Sequence, residues 1–178
     1  MSGDGGTIRD RWIFGYGSLI WRPGFAFVER RRAIAHGWAR RLWQKSTDHR
    51  GTPDAPGRVA TLVPEPGAVA VGAAFRIAAD DAIAIIAELD VREQQGYEPL
   101  ALDVELDDAR VVSALTYVAH AHNPYFAGGE PADAIAAVVR TAIGPSGANL
   151  EYARRLAEAL AEIGAPDPHL DEILRAIA

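Results

Sequence analysis

Apolar and polar positions alternate along much of the first half of the chain, as half-buried strands require, and give way to a three-to-four-residue period in the last third. The alternating runs predict strands over residues 12–16, 33–47 with a bend at Gly37, 58–63 and 69–77, separated by turn-rich stretches such as 50–57. Asp80 reads as an N-cap, and Ile83, Ile86 and Leu89 behind it recur at helical spacing, which predicts a helix from about 81 to about 93. Two further strands, 101–106 and 111–119, are joined as a hairpin through 107–110. Pro131 suits the first position of a helix and Gly144 the residue just past its end; Asn149 can cap 150–163, which Gly164 terminates, and a short helix covers 169–177. Strands first and helices later indicate an α+β domain rather than a doubly wound sheet.

Composition narrows the picture. A chain of 178 residues is long enough to bury one sizeable core, so a single domain is expected over 1–178, with the polar, Gly-rich residues 1–10 as a flexible N-terminal extension. With no cysteine, thiolate nucleophiles, disulfides and cysteine-ligated metals are excluded. No apolar stretch approaches the ~20 residues of a membrane span, and no secretory leader is evident, so a cytoplasmic protein without a membrane partner is expected. The net charge of −6 argues against nucleic acid as a partner. Yet residues 22–58 hold nine basic side chains against three acidic ones, a local field that either attracts a small anion or forms a solvated arginine face.

Candidate chemistry begins at the turn after the first strand, 14–21, which reads Phe-Gly-Tyr-Gly-Ser-Leu-Ile-Trp. Glycines there allow positive φ and close approach of a ligand to successive backbone N–H groups. Ile20 breaks both the dinucleotide fingerprint and the nucleophile elbow, and the P-loop ending is missing. Glu93 follows Ile86 and Leu89 at i+7 and i+4, which would carry a carboxylate into a packed face, where desolvation and the negative helix end raise its pKa and make it a base. The competing outcome is a frayed end with Glu93 in solvent, and Glu98 is a second candidate. His120 and His122 share a strand face but lack a third metal ligand. Asp48 and His49 are adjacent and orient each other poorly for a triad with Ser18. Of Arg40 and Arg41, on opposite faces of one strand, only one can line a pocket. Tyr117 is core by default, with a hydroxyl able to reach a ligand.

These stretches, together with 37–43, 46–53, 56–62, 89–97 and 147–152, resemble the ChaC-like γ-glutamylcyclotransferases in order and spacing over nearly the whole chain. The resemblance implies a small mixed β-barrel flanked by helices, and an enzyme that needs no cofactor and no metal and releases 5-oxoproline from a small γ-glutamyl substrate, chiefly glutathione. It implies that Tyr16, Gly17, Ser18 and Leu19 hold the γ-glutamyl group and that Glu93 is the catalytic acid/base. Arg40 and Tyr117 are expected as further substrate-binding residues, and the protein as a monomer or weak homodimer. Two alternatives stand beside this reading, a cyclotransferase for another γ-glutamyl amine or amide and a non-catalytic γ-glutamyl-binding module.

Overall fold

The computed structural model describes residues 11–178, so the expected extension 1–10 lies outside the described residues. Five strands close a mixed barrel: β1 (Arg11–Gly15), β2 (Glu29–Ser46), β3 (Gly57–Ile77), β4 (Glu98–Leu106) and β5 (Val111–Val118), in the order β1-β3-β2-β4-β5. Every contact is antiparallel except β1 against β5, which is parallel and closes the barrel. Four helices flank it, α1 (Ala82–Arg92), α2 (Ala132–Thr141), α3 (Asn149–Glu162) and α4 (Pro168–Ile177), and a two-residue hairpin, β6 (Ile143–Gly144) with β7 (Gly147–Ala148), links α2 to α3. The α+β class and the mixed barrel are therefore as expected.

The strands expected at 58–63 and 69–77 are one continuous strand. Pairing with β2 steps from Trp38 opposite Pro64 to His36 opposite Val69, so residues 65–68, Pro66 among them, bulge out of a ladder that resumes on the far side. Prolines are tolerated where no ladder bond is asked of them, and Gly37 and Gly67, at φ 79° and 81°, take the left-handed backbone that the bulge demands. A second register shift, between Arg41 and Gln44, leaves the Leu42 amide free to donate to His169 Nε2 at 3.0 Å.

Three helix signals also change meaning. The stripe that seats α1 is Ala82, Ile85 and Leu89, while Ile83 is 86% exposed, and Asp80 lies in a 3-10 turn over Ala79–Asp81 without capping α1. Pro131 immediately precedes α2, and Gly144 belongs to the β6–β7 hairpin instead of ending that helix, because a Cβ there would overlap the His49 carbonyl. Asn149 is buried and does not cap: its Oδ1 accepts the Arg58 N–H at 2.7 Å and its Nδ2 donates to Arg58 O at 2.9 Å, so it ties α3 to β3. Asp167 does cap α4, accepting from the His169 and Leu170 amides.

The main core joins the barrel to α2, α3 and α4 through Phe14, Phe75, Ile135, Leu156, Leu160 and Leu170, all fully buried. A second cluster, Ile13, Leu19, Ile77, Ala82, Ile85, Leu89 and Tyr117, fastens α1 beside the turn that follows β1. Each large aliphatic side chain removed from water there contributes roughly 1.5–3 kcal/mol. That packing brings the C-terminal end of α1 to the Tyr16–Leu19 turn. No helix among the described residues is long and apolar enough to cross a membrane.

Candidate active site

A cavity of about 390 Å³ opens where the turn after β1, the C-terminal end of α1, the segment after β2, β5 and α3 meet. β1 stops at Gly15, and residues Ser18–Ile20 form one 3-10 turn held by Ile20 N–H to Gly17 O at 3.0 Å and Arg22 N–H to Ser18 O at 2.8 Å. Gly15 is needed for space, Gly17 leaves room for ordinary contact, and neither has positive φ, contrary to expectation. A Cβ on Gly15 would stand 2.6 Å from Leu19 Cβ, and one on Gly17 would stand 3.4 Å from Tyr152 Oη at the cavity wall. The amides of Gly17, Ser18 and Leu19 are not hydrogen-bonded to any described residue, and all three residues line the cavity.

Glu93 follows the last residue of α1. Its N–H still bonds Leu89 O at 2.8 Å, but its backbone (φ −94°, ψ 57°) has left the helix, so the Ile86–Leu89–Glu93 stripe is not what aims the side chain. The chain then turns through Gln95 and Gly96, both with positive φ. This places the carboxylate, 20% exposed, in the cavity wall with Arg92 Nε 3.7 Å away, and no described residue hydrogen-bonds to it. Burial pushes its pKa up, the Arg92 guanidinium opposes the rise, and the Asp48 carboxylate adds to it. A largely shielded carboxylate to which no described residue hydrogen-bonds is poised to accept a proton. Glu98, by contrast, is 55% exposed and sits 3.2 Å from His122.

Four tyrosines complete the wall. Tyr16 Oη donates to Tyr117 O at 2.5 Å, Tyr97 Oη to Ala60 O at 2.6 Å and Tyr117 Oη to Asp90 Oδ1 at 2.6 Å, while Tyr152 Oη accepts the Ala60 N–H at 3.0 Å. Burial raises all four phenols, Tyr152 to about 12, so they stay protonated and serve as rigid, weakly polar lining. Arg92 bridges the turn to α1, donating to Pro23 O at 2.9 Å and to Ser18 Oγ at 3.3 Å.

Tyr16, Gly17, Ser18, Leu19, Glu93 and Tyr117 are thus brought together. Arg40 is not among the lining residues: only 2% exposed, it lies behind the turn, donating from Nε to Tyr16 O at 2.7 Å, from Nη1 to Asp167 Oδ2 at 2.8 Å and from Nη2 to Val71 O. The correction has a physical reason, since a buried guanidinium must satisfy its donors where it sits, and these are taken up by two carbonyls and a carboxylate. Arg41 points outward to Glu65 at 2.8 Å. Most of the basic 22–58 segment is similarly committed, as in the Arg58–Glu130 pair at 2.7 Å, while Arg22, Lys45 and Arg50 reach the cavity.

Asp48, His49 and Ser146 also line the cavity, with His49 Nδ1 3.0 Å from Ser146 Oγ, but Ser18 turns to Arg92, so no triad with Ser18 forms. His120 and His122 stack at 5.6 Å, and no group of three or more metal-ligating side chains occurs among the described residues. Sequence reasoning missed Tyr97 and Tyr152 as lining residues; both sit in stretches that resembled the family, 89–97 and 147–152, without a role attached to either.

A family model described as "ChaC-like protein" matches residues 11–178. Glutathione-specific gamma-glutamylcyclotransferase 1 of Homo sapiens is 40% identical over 172 residues, covering 93% of this chain and 78% of that protein. Glutathione-specific gamma-glutamylcyclotransferase of Saccharomyces cerevisiae is 35% identical, covering 85% of this chain and 86% of that one. A crystal structure of a yeast gamma-glutamyl cyclotransferase specific to glutathione superposes with a TM-score of 0.90 at 33% identity, covering 94% of this chain and 95% of the other.

Proposed function

The chain belongs to the ChaC-like family, and from that membership and the cavity we propose that it is a glutathione-specific γ-glutamylcyclotransferase, converting glutathione to 5-oxoproline and cysteinylglycine. The observation that carries the site assignment is the Glu93 carboxylate, largely shielded, in the same cavity as the three turn amides, none of these groups hydrogen-bonded by any described residue. At about 390 Å³ the cavity falls at the lower end of the ~300–1,000 Å³ typical of small-molecule sites.

The reaction is internal aminolysis. The α-amine of the γ-glutamyl group attacks the γ-carbonyl carbon, a C–N bond closes the five-membered lactam, and the C–N bond to the cysteinyl nitrogen breaks. Glu93 takes the proton from the attacking nitrogen and returns it to the departing one, so no water is consumed and no redox change occurs. Such acid–base transfer contributes ~10²–10⁴-fold. Folding the glutamyl chain so that its amine faces its own carbonyl is worth up to ~7–11 kcal/mol in effective molarity, and the closely packed Tyr16–Leu19 turn and the hydrogen-bonded tyrosines supply a wall rigid enough for that task. The Gly17–Leu19 amides are suited to the substrate carboxylate or to the oxyanion of the tetrahedral intermediate.

The test is turnover of glutathione, γ-glutamylalanine and γ-glutamyl-lysine side by side by the purified protein. Equal amounts of 5-oxoproline and cysteinylglycine from glutathione, with little product from the others, is the expected result. Preferential turnover of γ-glutamyl-lysine would transfer the assignment to a γ-glutamylamine cyclase, and binding without product from any of the three would leave a binding module.

A further inference from the structure

Gln44 is fully buried in β2, but its amide is committed outside the strand ladder. Its Nε2 donates to Gln95 O at 2.8 Å and to Asn123 Oδ1 at 3.1 Å, and Asn123 Nδ2 donates back to Gln44 Oε1 at 3.1 Å. Asn123 is itself fixed in the loop after β5, donating to His120 O at 2.6 Å and accepting the Tyr125 N–H at 2.9 Å. Thr47 adds a third tie, from Oγ1 to Gln95 Oε1 at 3.2 Å. Two facing amides in a protein interior are costly unless their donors and acceptors are paired, and an apolar pair would fill the space without that demand. What the amides reach is the backbone of the turn that carries Glu93.

That turn needs holding. Gln95 has φ 64° and Gly96 φ 93°, two successive left-handed residues of which the first bears a side chain, and such a conformation persists where its surroundings impose it. Gly96 packs so closely on Asn123 that a Cβ would overlap its amide. We infer that Gln44 and Asn123 form a positioning clasp that seats the 93–97 turn and thereby holds the Glu93 carboxylate in the sheltered part of the cavity, without touching substrate. The inference rests on Glu93 being the base.

The groups facing Glu93 are Arg92 from α1, Asp48 from the segment after β2, and the phenols of Tyr16, Tyr97, Tyr117 and Tyr152. None belongs to the clasp. Releasing the clasp leaves Arg92, Asp48, Tyr16, Tyr117 and Tyr152 in place, and Tyr97, though at the end of the turn, keeps its own bond to Ala60 O; the carboxylate is freed to hydrate, so its pKa drops back toward the ordinary carboxylate range. The acidic limb of the pH profile of kcat, which reports the fraction of Glu93 in its basic form, then moves to lower pH while the plateau falls.

The experiment measures kcat, KM and the pH profile with glutathione for Gln44→Met and Thr47→Val, with thermal melts and with Glu93→Gln in parallel. A misplaced base predicts kcat lower by roughly 10–100-fold in Gln44→Met, KM within about twofold of the parent and the acidic limb displaced downward, with the same displacement, smaller, in Thr47→Val. If Gln44→Met does not fold, Thr47→Val, at a half-buried site just after β2 that bonds the same turn through Gln95 Oε1, decides alone by the position of its limb. An unmoved acidic limb in the folded variants, whatever happens to kcat, overturns the clasp, because a general loss of active protein lowers the plateau without shifting it. Near-normal turnover in Glu93→Gln overturns the base reading instead, and the clasp with it; an inactive Glu93→Gln beside unaltered clasp variants overturns the clasp alone.

Discussion

Asp167 holds two structures at once, and two substitutions separate them. Its Oδ1 caps α4 through the His169 and Leu170 amides at 3.1 and 3.2 Å, and its Oδ2 pairs with the Arg40 guanidinium at 2.8 Å, behind the active-site turn. Arg40 is 2% exposed and the Asp167 side chain 13%, so solvent screens the pair little. Asp167→Asn keeps a good N-cap but removes the negative charge paired with a buried cation. Breaking one side of a buried pair costs about 3–5 kcal/mol; Arg40 keeps its bonds to Tyr16 O and Val71 O, which points to the lower end, near 3 kcal/mol. Asp167→Ala loses the cap as well, a further ~1 kcal/mol. For a chain of 178 residues, with ~2–4 °C of melting temperature per kcal/mol, the expected falls are about 6–12 °C for Asn and a few degrees more for Ala. Urea unfolding supplies the free energies and calorimetry the midpoints. If Asp167→Asn stays within about 0.5 kcal/mol of the parent, the size of change expected at an ordinary surface site, the buried-pair argument fails. A difference between Asn and Ala as large as the Asn loss itself would assign the stability to the cap instead.

The two turn glycines should fail in different ways: Gly15→Ala drives a Cβ to 2.6 Å from Leu19 Cβ and is expected to cost ~1–3 kcal/mol by overpacking, whereas Gly17→Ala makes ordinary contacts with Tyr152 Oη at 3.4 Å and Ala60 Cβ at 3.9 Å and is expected to melt near the parent while losing activity, read by parallel melts and assays. Glu93 also predicts a pH signature in stability. Its folded pKa is raised by burial, so the stability it contributes is fully present below the unfolded pKa and is lost as pH rises through the folded value; Glu93→Gln is therefore expected to melt higher than the parent at neutral pH and to show no such advantage below about pH 4, close to the reference carboxylate value. Melting curves across that range check it, and an advantage that grows on acidification would reverse the assignment.

Much of this architecture was legible because its signals are local. Alternation located β1, β2, β4 and β5 to within a few residues, and Gly164, at φ 67°, closes α3 where expected. Interruptions that depend on a partner strand were not legible. Pro64 to Gly67 has the composition of a turn, and only the length of β2 opposite shows that β3 continues past it. Asn149 has the chemistry of a cap and the position of one, but the open backbone of β3 at Arg58 claimed its amide. In the site, Glu93 could be singled out through its helical phase even though the structure aims it by a turn, because Leu89 anchors α1 one turn earlier in either case. Arg40 was misassigned to the cavity because strand alternation identifies which face a side chain takes and not whether that face is ligand or core. Tyr97 and Tyr152 converge on Ala60 from 37 and 92 positions further along the chain, a long-range meeting that no spacing in the chain encodes.

The central claim is that Glu93 carries the proton between two nitrogens of one substrate. Its most direct test is the production of 5-oxoproline from glutathione by Glu93→Gln, which keeps the shape of the side chain and removes its basicity. A folded variant that binds glutathione with little change and turns it over at least ~10²-fold more slowly is the predicted result; turnover close to that of the parent enzyme would contradict it.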